Sequence, residues 1–386
     1  MSRKLFFVLV ISIFLSSLLY VGLNPIVEST NNYPVWNEDT GLHYATIQEA
    51  INANETLDGH IIGLDIDVFW EHIVINKSVR LYGSFSIERP EEEITTINGN
   101  GTGTVVTVET DDVGMHGIKI TNGINGIVLE EADNCFLDML YVVDNAETGI
   151  YLRDSRNCTL KYSHIADNRY NLGVEGSSAE HFFHKMVSST ANGKPIHYLT
   201  NEQDKNITED AGYIAAINCT NITIENQNLT NNHQGLLFAY TNNSIIRNIN
   251  ISNNLYGIYI QNSNNNTIFY NNFTNNTYQV HVEAIDEYPS NTWDDGVGKG
   301  NYWSDYEDRH PDAEEIDDSG IWNTPYFIDE NNQDNYPIVP EFPKFLILPI
   351  FMIATLLAVI VYKRKHQTRN KREKFSFVVS FYVWLL

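Results

Sequence analysis

A repeat of 22 to 24 residues is the feature that most constrains how this chain can fold. Units begin at Gly126, Gly149, Gly235 and Gly257, and each holds a short apolar strand, a polar turn, a second strand and an Asn-rich turn. Helical solenoids have longer units, and a leucine-rich repeat needs an L-x-x-L-x-L frame that this chain lacks. Two or three short strands in a unit of this length predict an all-β solenoid, the parallel β-helix.

Stacking of the coils predicts ladders of equivalent side chains. Neighbouring coils would lie about 4.8 Å apart, with Ile, Val and Leu pointing inward and the recurring Asn residues forming amide ladders. Cys135 and Cys158 occupy the same offset one coil apart. Stacked side chains point the same way, which suits a disulfide bridge poorly, so two buried thiols are favoured over a bridge or a metal pair.

The first coil of such a solenoid needs a cap, because an open end exposes unpaired strand edges. Thr46 and Glu49 have capping-box spacing, and apolar residues recur at helical spacing across 47–51. This pattern predicts a short capping helix at the start of the solenoid.

Two apolar runs lie near the ends of the chain. Residues 5–23 follow two basic residues and are typical of a signal peptide or an uncleaved membrane anchor. Residues 345–362 precede a basic block, a stop-transfer pattern that places the tail in the cytoplasm and the central region outside the cell. The stretch 340–343 resembles the PEF-type sorting motif of archaeal surface proteins. The membrane is therefore a predicted partner.

The predicted organisation follows from these patterns and is given in chain order. It comprises a signal peptide or anchor (1–23), a linker (24–41), a parallel β-helix (42–290) with an irregular coil or excursion (177–212), an aromatic and Asp-rich cap (291–338), a Pro-rich stalk (339–344), a transmembrane helix (345–362) and a basic cytoplasmic tail (363–386).

Charge and sequons add two expectations. The chain holds 24 Lys and Arg against 49 Asp and Glu, a net charge of -25, whereas phosphate binding needs clustered cations. No nucleic-acid partner is predicted. Asn-x-Ser/Thr sequons are frequent, and an exported chain would carry glycans at some of them. The glycosylation candidates are Asn76, Asn218, Asn228, Asn250 and Asn272.

Six segments spread over residues 42–338 resemble one family. They are YATIQEAIN (44–52), EHIVINKS (71–78), GKPIHYL (193–199), AGYIAAINCTNITI (211–224), GNYWSDY (300–306) and NTPY (323–326). In this order they are similar to the NosD-like, right-handed parallel β-helix proteins of archaeal cell surfaces. That family is related to the CASH domain of carbohydrate-binding proteins and sugar hydrolases. The resemblance implies a pectin-lyase-like fold. Its founding members are periplasmic accessory factors linked to copper delivery, so it does not imply a single function.

The stretch 291–338 combines aromatic rings with carboxylates. Sugar recognition places rings against C–H faces and polar groups against hydroxyls. The carbohydrate-binding candidates are Trp293, Trp303, Tyr306, Trp322 and Asp305. The favoured alternative is a cap of buried Trp and Tyr that closes the last coil, and both interpretations can hold together.

Metal and catalytic candidates are weaker. Copper would need convergent His, Met or Cys side chains, and the candidates are His181, His184 and His197, although Phe182 and Phe183 favour an ordinary strand there. Residues 317–320 are too degenerate to identify as a calcium loop, so Ca²⁺ and copper stay alternatives and no cofactor is predicted outright.

A lyase would need a basic residue beside carboxylates, and a glycosidase two carboxylates on neighbouring coils. No such set stands out, and no catalytic residue is predicted.

The main hypothesis is a membrane-anchored, extracellular β-helix protein that binds carbohydrate or cell-envelope partners without catalysis. The alternatives are a polysaccharide lyase or hydrolase, and a NosD-like periplasmic copper-binding accessory factor.

Overall fold

The computed structural model describes residues 33–84, 94–284 and 289–340. The predicted signal peptide or anchor, the transmembrane helix (345–362), the basic tail and most of the stalk lie outside the described residues. Within those ranges, no helix has the length and apolar character needed to cross a membrane.

The N-terminal end is closed by strands β1 (Val35–Asn37) and β2 (His43–Tyr44) and by helix α1 (Ile47–Asn52). The Thr46 hydroxyl accepts a hydrogen bond from the Glu49 backbone N–H at 3.1 Å, as the capping-box spacing predicts. The apolar stripe of α1 is buried, so the predicted capping helix is confirmed. The Glu71 carboxylate adds a second cap by accepting from the first two N–H groups of the helix.

Strands β3 to β17 form a first β-helix. They are β3 (Ile61–Leu64), β4 (Val68–Phe69), β5 (Ile73–Ile75), β6 (Arg80–Tyr82), β7 (Thr96–Val108), β8 (Gly114–His116), β9 (Lys119–Glu130), β10 (Phe136–Asp138), β11 (Tyr141–Val143), β12 (Thr148–Arg153), β13 (Thr159–Lys161), β14 (His164–Ala166), β15 (Tyr170–Glu175), β16 (Lys185–Val187) and β17 (Thr190–Ala191). Equivalent strands of successive coils pair in parallel, as in the series β6, β8, β10, β13 and β16. The inward side chains form one apolar core.

Strands β18 to β30 form a second β-helix, followed by a C-terminal cap. They are β18 (Lys194–Thr200), β19 (Gln203–Ile207), β20 (Tyr213–Ile217), β21 (Thr220–Glu225), β22 (Asn228–Thr230), β23 (Gln234–Ala239), β24 (Ile245–Arg247), β25 (Asn250–Ser252), β26 (Tyr256–Gln261), β27 (Thr267–Phe269), β28 (Asn272–Thr274), β29 (Tyr278–Glu283) and β30 (Tyr302–Trp303). The cap contains α2 (Tyr306–Arg309), β31 (Tyr326–Asp329) and β32 (Asn332–Asp334).

Asparagine ladders run through both β-helices, as the repeat predicts. Asn134 and Asn157 lie one coil apart in left-handed turns, with φ of 56° and 53°, and the Asn157 side chain donates to the Asn134 side chain at 2.8 Å. Asn tolerates this backbone region at little cost. The thiols of Cys135 and Cys158 are free and buried, which confirms the interpretation as stacked thiols.

Strand direction reverses between the two β-helices. Strand β17 pairs with β14 in parallel but with β18 in an antiparallel hairpin, whose turn holds Gly193 at a φ of 75°. The sheet then continues in parallel through β18, β20, β23, β26 and β29. The reversal lies inside the segment 177–212 that interrupts the sequence repeat.

The reversal gives the shared sheet a core on each face. Every residue of β20 is buried. Ile214 and Ala216 pack in the core of the second β-helix, whereas Tyr213 and Ala215 pack in the core of the first. Alternate side chains of a strand point to opposite faces, so one strand serves both cores. The shared sheet therefore has one face in each core. The face that points into the first core is the outer face of the second β-helix.

Candidate functional site at the junction of the two β-helices

The outer surfaces of the two β-helices meet at their junction. In β12, Ile150 and Leu152 point into the first core, so Tyr151 points outward. In β26, Ile258 and Ile260 point into the second core, so Tyr259 points to the opposite face. The side chains that converge here define the junction groove: Tyr151, Glu175, His233, Tyr256, Tyr259, Tyr278, His281 and Glu283.

Two tyrosine–glutamate pairs are the framework of the junction groove. The Tyr151 hydroxyl donates to Glu175 Oε2 at 2.5 Å, and the Tyr259 hydroxyl donates to Glu283 Oε2. Both pairs have a sequence separation of 24 residues, so each Glu lies one coil after its Tyr. The same arrangement therefore occurs once in each β-helix.

His233 lies between the two pairs, in the turn before β23. Its side chain is only 10% exposed and its ring contacts Tyr151 and Tyr256, with centroid distances of 4.8 and 5.7 Å. Burial lowers the pKa of His233 to about 4, so its ring is neutral near pH 7.

Glu175 is the most unusual acid of the groove. Its Oε1 is buried without a hydrogen-bond partner, although His233 Nδ1 lies 3.3 Å away. Burial raises the pKa of Glu175, and the negative charge of Glu283 raises it further. A buried acceptor without a donor is costly.

An open aromatic surface borders these carboxylates. Tyr278 is 55% exposed, and one face of its ring stacks on Tyr256 at 5.4 Å and 24°. The His281 ring lies 5.0 Å from Tyr256 and 4.9 Å from Tyr259. The side chains of His281 and Glu283 are 40% and 46% exposed. Ring faces and carboxylates thus lie together where a ligand could reach them.

The cap buries two of the predicted carbohydrate-binding residues. Trp303 stacks between Phe273 at 4.3 Å and Tyr326 at 4.2 Å, so both faces of its ring are covered. Trp293 is fully buried, and its indole N–H donates to Asn332 at 3.1 Å. Neither ring has a free face for a sugar. These two residues close the last coil, as the cap alternative predicts.

The other three candidates lie at the edge of the cap. Tyr306 is buried and stacks on Trp322 at 5.1 Å, while Asp305 accepts from the Tyr326 hydroxyl at 3.0 Å and pairs with Arg309 at 2.8 Å. Trp322 is partly exposed and lines a cavity of about 510 Å³ together with acidic side chains of the cap. Of the predicted set, Trp322 keeps the most accessible ring.

The three candidate copper ligands, His181, His184 and His197, have separate surroundings. Both ring nitrogens of His184 are used within the fold: Nδ1 accepts from the Cys158 N–H at 3.2 Å, and Nε2 donates to the His181 carbonyl at 2.9 Å. His181 Nδ1 lies 3.0 Å from Asp154, and His197 lies beside Ile214 in the shared sheet. In the described ranges, no group of three or more His, Cys, Asp or Glu side chains could hold a metal ion.

The segment around His181 also differs from the strand that Phe182 and Phe183 suggested. Residues Ala179–Phe182 form a short 3₁₀-helix, with Ser178 at its N-terminus and the His181 side chain accepting from the Ser178 N–H. This local capping overrides the strand preference of the two phenylalanines.

The five candidate glycosylation sites are all exposed. Asn228, Asn250 and Asn272 stand in register on β22, β25 and β28, so their sequons form one column on successive coils.

The sequence-based candidates missed the junction groove. Its signal in the sequence is the repeated separation of 24 residues between an outward Tyr and a later Glu. That signal became interpretable only once the reversal had brought the two surfaces together.

Comparison with known proteins gives matches to two family descriptions. Residues 73–210 match "Right handed beta helix region" and residues 186–308 match "Periplasmic copper-binding protein (NosD)". A cell surface glycoprotein of Methanothermus fervidus is 34% identical over 103 residues, which span 26% of this chain and 16% of that glycoprotein.

Among solved structures, similarity is found to an alginate lyase of Paenibacillus sp., with 14% identity over 66% of this chain and 89% of that one, and a TM-score of 0.30. The A-module of a mannuronan C-5 epimerase of Azotobacter vinelandii is 13% identical over 63% of this chain and 75% of that one, with a TM-score of 0.29.

Proposed function

We propose that this chain, which matches a right-handed β-helix family over residues 73–210 and a NosD family over residues 186–308, is an extracellular surface protein that binds carbohydrate in the junction groove. The likeness to an archaeal cell surface glycoprotein supports the location. The apolar runs 5–23 and 345–362 support membrane attachment, with the β-helices outside the cell.

One observation carries the binding proposal: the exposed ring of Tyr278 stacks on Tyr256, whose ring also contacts His281 next to the partly exposed carboxylate of Glu283. The outer face of Tyr278 would stack against the C–H face of one sugar ring, while Glu283 would accept hydrogen bonds from the hydroxyls of another sugar of the same glycan. The stacked ring of Tyr256 holds Tyr278 in place. Little reorganisation is then needed when a glycan binds, which favours affinity.

Glycan-array screening of the full-length chain in detergent, followed by titration calorimetry on the best ligand, tests the proposal. Tyr278→Ala should weaken binding at least tenfold, a loss of about 1.4 kcal/mol. Tyr162→Ala is the matched control, because Tyr162 is 54% exposed on another part of the surface, and it should bind as the wild type does. Equal affinities of the two variants, or the absence of any glycan ligand, would remove the proposal.

Polysaccharide cleavage is a second candidate, favoured by the raised pKa of the partly buried Glu175. A carboxyl group that retains its proton closer to neutral pH can act as a general acid. The same incubations are therefore assayed for new reducing ends. Their appearance with the wild type and loss with Glu175→Gln would indicate hydrolysis instead of binding alone.

A copper-handling role has less support in these residues. Although residues 186–308 match the copper-binding family, His181, His184 and His197 do not converge, and the nitrogens of His184 already have partners within the fold.

A further inference from the structure

The charges that face the junction groove are predominantly negative. Glu175 and Glu283 lie close enough for the charge of one to raise the pKa of the other. The guanidinium of Arg153, 6.0 Å from the Tyr151 ring, is paired with Glu130 on the preceding coil. His233 is neutral near pH 7, so it does not offset these acids.

The two tyrosine–glutamate pairs of the groove present acceptors to a ligand. The hydroxyl hydrogens of Tyr151 and Tyr259 are donated to Glu175 and Glu283, so these tyrosines present only lone pairs to a ligand. The buried Oε1 of Glu175 lacks a hydrogen-bond donor. A ligand group that approaches the exposed carboxylate of Glu283 must therefore supply an N–H or O–H donor.

A sugar carboxylate fits this environment poorly. It has no donor to offer, and it would place a third negative charge beside the two glutamates. A hydroxyl, an N-acetyl N–H or an ammonium group supplies donors, and an ammonium group also offsets the charge.

We infer that the junction groove selects uncharged or amino-sugar glycans and rejects polyuronates. The inference rests on the proposed carbohydrate binding and adds to it the class of sugar. It is carried by the two tyrosine hydroxyls that donate to Glu175 and Glu283, and by the partly exposed carboxylate of Glu283, which lies 4.0 Å from the His281 ring.

The test compares three oligosaccharides of equal length: a glucosamine oligomer, its N-acetylated form and an oligogalacturonate. Each is titrated into the full-length chain in detergent at low and high salt, with EDTA present so that no divalent cation bridges two carboxylates. The glucosamine and N-acetylglucosamine oligomers should bind at least tenfold more tightly than the oligogalacturonate. High salt should reduce the difference in affinity between the two charged ligands, the glucosamine oligomer and the oligogalacturonate, because it screens charges near the surface.

Two charge variants identify the source of the selectivity. Glu283→Gln should improve oligogalacturonate binding relative to the glucosamine oligomer. The matched control is Glu202→Gln, because the Glu202 side chain is 43% exposed, close to the 46% of Glu283. Glu202 lies outside the groove, so this variant should leave the ratio of the affinities for oligogalacturonate and glucosamine oligomer unchanged. The inference is overturned if the wild type binds oligogalacturonate as tightly as the other ligands, or if Glu283→Gln leaves the ratio unaltered.

The outcomes also separate this inference from the proposed function. Oligogalacturonate binding that is strong and lost in Tyr278→Ala would leave carbohydrate binding in the groove standing and refute only the choice of sugar. Binding of no oligosaccharide would refute both.

Discussion

The amide ladder of the second β-helix should be a main source of its stability, and Asn254 is the residue that tests this. Asn254 is 1% exposed. Its Oδ1 accepts from the Asn232 N–H at 2.9 Å, and its Nδ2 donates to the Leu229 carbonyl at 3.2 Å and to Asn276 Oδ1 at 3.0 Å. The side chain therefore connects three successive coils.

The magnitude follows from these three bonds. Each buried hydrogen bond contributes about 1 kcal/mol, and Asn254→Ala also leaves the Asn232 N–H buried without this acceptor. We expect the variant to lose about 3 kcal/mol of unfolding free energy. If the loss is local, opening of the coil around Asn232 should become about 150-fold more frequent. Asn250 lies in the same coil but is exposed, so Asn250→Ala should stay within about 0.5 kcal/mol of the wild type.

Two measurements on the full-length chain check this prediction. Urea unfolding followed by circular dichroism gives the overall change, and native-state hydrogen exchange of peptides covering residues 228–238 gives the local one. The reasoning is refuted if Asn254→Ala and Asn250→Ala have equal unfolding free energies and equal exchange rates.

Two further predictions concern the cap and the buried histidines. Trp303→Ala removes the ring between Phe273 and Tyr326 and should lower the unfolding free energy by about 3–5 kcal/mol in urea titrations. The glycan affinity of the folded fraction should not change. A loss of affinity without a loss of stability would contradict the role of Trp303 as a cap residue. Burial lowers the pKa of His184 and of His233 to about 4, below the 6.5 of the unfolded chain, so the unfolded state takes up protons first as the pH falls. The unfolding free energy should therefore decrease as the pH falls from 6.5 to 4, by up to about 3 kcal/mol per histidine. His184→Gln should make this pH dependence less steep. Urea titrations that give the same slope of unfolding free energy against pH for wild type and variant would contradict the prediction.

Much of the fold could be predicted because its signals are local or periodic. The capping box at Thr46, the Asn residues in left-handed turns and the common offset of Cys135 and Cys158 are each set by a few neighbouring residues or by the coil repeat. The all-β solenoid follows from the same period, since only stacked coils bury the apolar strand of every unit.

The candidate site was harder to predict, because a cap and a carbohydrate-binding surface are both rich in aromatic and acidic residues. Composition alone does not distinguish them. Trp303 is covered on both faces by rings from β28 and β31, a packing that residues 291–338 alone do not specify. Conversely, Tyr278 resembles an ordinary strand residue in the sequence, although it lies on the open side of the groove.

The sequence by itself determined the coil, its ladders and its N-terminal cap, since these depend on spacings of a few residues or of one repeat. Only the tertiary structure decided where the outward side chains meet. A single hairpin between β17 and β18 reverses strand direction and transfers the interior to the other face of the sheet. Glu175 and Glu283, more than a hundred residues apart, thereby come to share one groove, a proximity that repeat periodicity cannot encode.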